Sequence, residues 1–156
     1  MRMIISTDAE KCNGCGVCEL ICSASKEGVF NKRLSRIRVV SIEPTIDMAV
    51  ACRFCEDPPC VKSCPRKALF RDSNGIILVE ETKCNGCGWC IEACDFGAIQ
   101  LHPFRHHVIV CDLCDGEPKC IKWCPAGALQ LVPLSTVTGK ARVQAVTKLF
   151  NYQSNR

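Results

Sequence analysis

The chain has 156 residues, a length suited to one domain, and 16 of them are cysteine, about a tenth of the chain and several times ordinary usage. Without the cysteines the apolar share drops from 47% to about 37%, thin for a conventional core. No run of 18 or more apolar residues exists that could cross a bilayer, and a first cysteine group beginning at Cys12 is expected to leave no room for a secretory leader. The chain is therefore expected in the cytoplasm, where thiols stay reduced and so many of them point to metal rather than disulfides. The formal charge of +4 counts every cysteine as a neutral thiol, so it gives no argument for a nucleic-acid partner once metal is bound.

In chain order, a β-branched stretch predicts a strand at residues 3–6, followed by the first cysteine group, Cys12, Cys15, Cys18 and Cys22, spaced C-x2-C-x2-C-x3-C. A helical turn is expected at 19–24 and strands at 36–42 and 48–51. Group two follows at Cys52, Cys55, Cys60 and Cys64, spaced C-x2-C-x4-C-x3-C. Asp72-Ser73-Asn74-Gly75 reads as a hairpin turn, with a strand at 76–79 after it. Group three, Cys84, Cys87, Cys90 and Cys94, repeats the spacing of group one and even its fillers, KCNGCGVC against KCNGCGWC. A helical turn at 91–93 and a strand at 107–110 lead to group four, Cys111, Cys114, Cys120 and Cys124, spaced C-x2-C-x5-C-x3-C, with a last turn at 121–123.

Groups two and four end in a cysteine followed by proline, Pro65 and Pro125, expected to end the turn; groups one and three carry Ser23 and Asp95 there. This is the bacterial ferredoxin ligand run, in which three thiolates grip one 4Fe-4S cubane and the fourth reaches a second. Four runs predict four 4Fe-4S clusters. Gly14, Gly16, Gly86 and Gly88 are expected to take the left-handed or close-approach conformations such a loop needs. A zinc site would use the C-x2-C pairs without a third and fourth cysteine in every group.

These motifs resemble the four-cluster iron-sulfur subunits of the dimethyl-sulfoxide-reductase electron-transfer type, whose members accompany formate dehydrogenases, hydrogenases, carbon monoxide dehydrogenase and tungsten aldehyde oxidoreductases. The resemblance covers about residues 1–132; the stretch from Gly28 to Val39 is similar to the small soluble branch of the family. It implies nested ligation: cluster A on Cys12, Cys15, Cys18 and Cys124; cluster B on Cys52, Cys55, Cys60 and Cys94; cluster C on Cys84, Cys87, Cys90 and Cys64; cluster D on Cys111, Cys114, Cys120 and Cys22. A sequential pairing, group one with two and three with four, remains the alternative. The implied fold is small α+β, two ferredoxin-like two-cluster halves, with groups two and three (51–97) forming one and groups one and four the other. Its cohesion would come largely from the clusters, leaving the metal-free chain mostly unfolded.

No radical-type C-x3-C-x2-C run, G-x-G-x-x-G or P-loop occurs, so the chain reads as a relay and not as an enzyme on its own. The resemblance implies a catalytic oxidoreductase subunit as partner, with tungsten or molybdenum, acting on aldehydes or formate. A ferredoxin or nicotinamide-linked flavoprotein would stand at the other end. The alternatives are a hydrogenase or carbon monoxide dehydrogenase system, a free diffusible polyferredoxin, and a factor passing clusters on. His102, His106 and His107 read as exposed loop histidines, Trp89 and Trp123 as covers over a cubane, and Lys11 and Lys83 as surface residues. Residues 133–156 form a basic extension without cysteine. Val143, Val146, Leu149 and Phe150 stripe an amphipathic helix expected at 139–152, for docking on its own core, a partner subunit or another copy of itself rather than on a membrane.

Overall fold

The structure is a computed structural model that describes residues 2–42, 46–137 and 139. Its strands are short and β-branched, and each pairs with one antiparallel neighbour. β1 (Met3–Thr7) pairs with β8 (Leu129–Pro133), and β2 (Arg38–Ile42) with β3 (Ile46–Val50). β4 (Leu69–Arg71) pairs with β5 (Ile77–Val79), and β6 (Ile99–Leu101) with β7 (Val108–Val110). The helices are α1 (Val17–Glu27), α2 (Pro59–Lys62), α3 (Trp89–Glu92) and α4 (Lys119–Lys122).

The order of pairing is nested. β1 precedes the first cysteine group and pairs with β8, which follows the last, placing Ile5 opposite Leu131. The β4–β5 hairpin joins groups two and three around the expected turn, where the Asp72 carboxylate accepts from Asn74 N and Ile76 N. α1 packs on α4 and α2 on α3, so the groups meet as one with four and two with three.

A two-stranded ribbon is marginal alone. The ribbons here share one interior, in which Ile4, Ile37, Phe54, Leu69, Ile77 and Val108 are fully buried and Cys18, Cys22, Cys52, Cys60, Cys90, Cys111 and Cys120 fill positions between them.

The five expected strands are present with ends shifted by one or two residues, and β4, β6 and β8 are additional. Each additional strand follows one repeated phrase: Cys64 to Lys67-Ala68-Leu69, Cys94 to Gly97-Ala98-Ile99, and Cys124 to Gly127-Ala128-Leu129. The alanine and the next residue are buried in all three, a periodicity too short to register as an alternating strand pattern. The helix expected at 139–152 lies, beyond Gly139, outside the described residues; residues 134–137 are helical, with Leu134 and Val137 against the core.

Candidate cluster-binding sites

The third cysteine of every group, Cys18, Cys60, Cys90 and Cys120, is the second residue of a helix and is buried. The residue before every second cysteine has a left-handed backbone: Gly14 and Gly86, both at φ +69°, Phe54 at +48° and Leu113 at +58°. Glycine adopts this conformation freely, whereas phenylalanine and leucine are strained there. Phe54 is 0% and Leu113 4% exposed, so burial of a large side chain offsets the strain that groups one and three avoid with glycine.

The last residue before each buried alanine is also left-handed, at Lys67, Gly97 and Gly127. It closes a turn in which Lys67 N, Gly97 N and Gly127 N donate to the carbonyls of Cys64, Cys94 and Cys124. α3 stops at Glu92 although Asp95 stands where the other two groups have proline, so proline is not what ends these helices. The expectation for Pro65 and Pro125 is corrected accordingly: α2 and α4 have ended by Lys62 and Lys122, before either proline.

Three cavities of similar size are each lined by four cysteines. Cys22, Cys111, Cys114 and Cys120 border a space of about 320 Å³, Cys12, Cys15, Cys18 and Cys124 one of about 310 Å³, and Cys52, Cys55, Cys60 and Cys94 one of about 350 Å³, open mouths included. Cys64 and Cys84 lie beside Cys90: burial first, then those two sulfurs and Cys60, push the Cys90 thiol up to about 11. Cys87, the remaining member of group three, is exposed. A larger groove between β1 and β3, bordered by Thr7, Asp8, Lys11, Met48, Arg53 and Phe96, has no cysteine in its lining.

The thiols also sense one another between cavities. Burial, followed by Cys22, Cys114 and Cys18, pushes Cys120 up to about 12. Burial drives Cys111 well above the usual thiol range, with Cys22, Cys120 and Cys52 adding to it against the Leu113 N–H. Cys52 rises to about 12 and Cys60 to about 11, burial leading in both and Cys94 contributing to each. Cys18 rises to about 12 through burial and then Glu19. Such thiols stay protonated at neutral pH until a metal displaces the proton. Cys64 departs from them: burial raises it, but N–H groups of Ala68, Leu69, Arg66 and Lys67 outweigh burial and bring it below the usual thiol range.

Backbone N–H groups point at the sulfurs: Arg36 N to Cys22 Sγ at 3.2 Å, Phe54 N to Cys52 at 3.4 Å, Ala68 N to Cys64 at 3.3 Å and Ala98 N to Cys94 at 3.4 Å. Four soft thiols around each apolar cavity, with amide donors aimed at sulfur, fit an iron-sulfur cluster, since donors to sulfur both orient the ligands and tune the potential.

The surrounding residues differ from expectation in two places. His102 and His107 are buried, at 4% and 6% exposure, and only His106 of the three is exposed. Phe104 N donates to His102 Nδ1 at 3.1 Å, leaving the proton on Nε2, 3.8 Å from Glu27; burial holds this imidazole below its usual pKa against the pull of Glu27. Trp89 and Trp123 are 65% and 60% exposed, so they do not serve as covers; each occupies a helix end, Trp89 the first residue of α3 and Trp123 the residue after α4, with its ring turned to solvent. Lys11 and Lys83 are at the surface as expected, beside Asp8 and Glu80.

A family model described as a 4Fe-4S dicluster domain matches residues 45–134, more than half of the chain. The chain belongs to this 4Fe-4S dicluster family. It is 40% identical over 114 residues, 72% of the chain and 66% of the relative, to the polyferredoxin-like subunit of an aliphatic sulfonate oxidoreductase from Pyrococcus furiosus. It is 31% identical over 120 residues, 69% of the chain and 58% of the relative, to one subunit of the anaerobic dimethyl sulfoxide reductase of Escherichia coli. It therefore spans about two thirds or less of the length of these relatives. Among solved structures, the active-site complex BamBC of benzoyl coenzyme A reductase includes a similar chain, with a TM-score of 0.51, 29% identity and coverage of 94% of this chain and 90% of that one. The dicluster fold accounts for the ferredoxin-like mixture of short helices and strands. Among the described residues no helix is long and apolar enough to cross a membrane.

Proposed function

We propose that the chain is an electron-transfer subunit of an oxidoreductase complex, holding four 4Fe-4S clusters on the nested ligand sets A to D. The reading is supported above all by the row that the thiols make. Cys18 of set A neighbours Cys120 of set D, Cys52 of set B neighbours Cys111 of set D, and Cys60 of set B neighbours Cys90 of set C, giving the order A, D, B, C. The exposed cysteines, Cys15 and Cys87, belong to the two end sets, where a partner could approach.

Bound clusters supply one-electron redox chemistry. The chain's part is to hold them in a row, to keep water from the inner sets D and B, and to aim backbone N–H groups at their sulfurs. Nothing in this role requires the chain to bind a substrate, and it is proposed as non-catalytic alone.

The proposed partner at one end is a tungsten or molybdenum oxidoreductase subunit acting on aldehydes or formate, and at the other a ferredoxin or nicotinamide-linked flavoprotein. This finer assignment rests on the motif resemblance; the named relatives belong to complexes of differing substrates, so membership in such a complex is the common element. Residues 133–156 are proposed to help the chain dock on its partner or on another copy of itself. A hydrogenase or carbon monoxide dehydrogenase system, or a free polyferredoxin, would use the same row.

Anaerobic purification of the tagged protein from its own host, with iron, molybdenum, tungsten and nickel measured together, tests this. About sixteen irons per chain plus those of a partner, with tungsten or molybdenum, is expected. Nickel would move the partner to the hydrogenase or carbon monoxide dehydrogenase class, iron alone would favour the free carrier, and zinc in place of iron would overturn the proposal.

A further inference from the structure

The cavity lined by Cys22, Cys111, Cys114 and Cys120 is also lined by Arg36. The Arg36 backbone N–H donates to Cys22 Sγ at 3.2 Å, and its side chain, 15% exposed, gives Nη2 to Glu27 Oε1 at 3.2 Å. The other terminal nitrogen, Nη1, is buried with no hydrogen-bond partner. A cationic donor buried and unmatched is costly unless a further acceptor meets it. The Glu27 carboxylate is shared, with Arg105 at 3.9 Å and His102 at 3.8 Å, so it does not serve Arg36 alone.

Neither of the other two cavities lined by four cysteines has such an orphan cationic nitrogen in its lining. No charged side chain lines that of Cys12, Cys15, Cys18 and Cys124. That of Cys52, Cys55, Cys60 and Cys94 has Arg53, whose guanidinium stands over the Phe96 ring at 5.6 Å, together with Asp95. Around Cys111 the remaining charges are Asp112, matched by Lys26 at 2.5 Å, and the exposed Lys119.

We propose that Arg36 raises the potential of the cluster at Cys22, Cys111, Cys114 and Cys120, its orphan Nη1–H meeting a sulfur there, so that this site is more easily reduced than it would be without the guanidinium. The inference rests on the four-cluster reading. One electron enters from the low-potential donor at one end of the relay and leaves to the acceptor at the other, with no bond made or broken and no proton taken up. Each electron makes the site more negative, and a buried cation and its N–H stabilise that added charge more than they do the oxidised form. Arg36 acts on the site through charge and hydrogen bonding, as a positioning residue.

The test is a redox titration of the loaded chain followed by electron paramagnetic resonance. The signal belonging to this site is identified as the one lost in Cys111→Ser. Arg36→Gln should lower its midpoint so that the reduced-to-oxidised ratio at the original midpoint falls at least tenfold, about 59 mV for one electron, with the other three unmoved. Glu27→Gln, which frees the guanidinium from its counter-charge, should move the same midpoint upward. Should Arg36→Gln fail to load, Glu27→Gln and Arg36→Lys carry the test, the lysine holding most of the unmodified midpoint. Opposite shifts at one site support the proposal; a merely structural arginine would give no such reversal. Full iron loading with all midpoints unmoved, or shifts of the same sign in both variants, overturns it. Iron far below sixteen per unmodified chain would instead overturn the four-cluster reading.

Discussion

Groups two, three and four leave their fourth cysteine in the same way, and group one does not. After Cys64, Cys94 and Cys124 the chain makes one turn, closed by a left-handed residue, and enters a strand through a buried alanine. After Cys22 the helix continues through Ser23-Ala24-Ser25-Lys26-Glu27 and stops only at Gly28, at φ +72°, whose N–H returns to Ala24 O. No left-handed residue intervenes earlier, and Ser23 is tied inside, donating to Leu20 O and accepting from Asn31 N. The local donor that meets Cys64 and Cys94 four residues on is replaced at Cys22 by Arg36 N, fourteen residues on. The dicluster family match begins at residue 45, so the departing group also lies outside it.

The difference is what brings charge to the interior. The longer α1 carries Lys26 to Asp112 at 2.5 Å and Glu27 to Arg36 at 3.2 Å, both pairs largely buried, whereas the pair at the end of a four-residue helix, Lys62 with Asp57, is exposed. A single change in how a turn ends thus separates the surroundings of Cys22 from those of Cys64, Cys94 and Cys124.

Importing the proline of groups two and four is the strongest way to break the contrast. Ser23→Pro sits inside α1, removes a helical N–H and clashes with the preceding turn, and should cost about 3 kcal/mol or more, read as a fall in the denaturation midpoint with loss of iron. Unchanged stability would mean that the extra turn is dispensable. Lys26→Met tests one of the pairs that turn creates. Burial raises the Asp112 carboxyl, and Lys26, with the Cys114 N–H and Arg36, outweighs burial and holds it below its usual pKa; losing the ammonium should cost about 1–3 kcal/mol by chemical denaturation. The smallest effect sharpens the comparison among the other three groups: Lys67→Gly should stabilise by up to about 1 kcal/mol, because it relieves the left-handed strain that Gly97 and Gly127 avoid, while Gly97→Ala should destabilise by a similar amount with no clash involved.

Much of this was legible in the sequence. The sixteen thiols, their four groups and the Asp72–Gly75 hairpin are local spacing signals; the hairpin forms where spacing puts it, and three cavities are each lined by four of the thiols. The missing strands were hidden because Leu69, Ile99 and Leu129 each start a three- to five-residue element, too brief for alternation to show; the shared phrase ending in alanine was the available signal. Phe54 and Leu113 were hidden for another reason: their left-handed backbone is imposed by the position before the second cysteine, against their own preference, and only the alignment of the four groups reveals it. Buried His102 and His107 have Glu27 and Glu81 as acidic neighbours from distant parts of the chain, so no local pattern could announce their setting. Trp89 and Trp123 each directly precede a cysteine of a group yet are mostly exposed, so adjacency in sequence did not carry over into contact with the interior.

The central claim is that Cys22 and Cys111 serve one cluster although they are far apart in the chain, and iron counting tests it most directly. In the double variant Cys22→Ala/Cys111→Ala both lost thiols belong to set D, so the account predicts that iron falls by about four atoms per chain, to about twelve, with one paramagnetic signal missing. A loss of about eight, with two signals gone, would place the two cysteines on different clusters and contradict the nested arrangement.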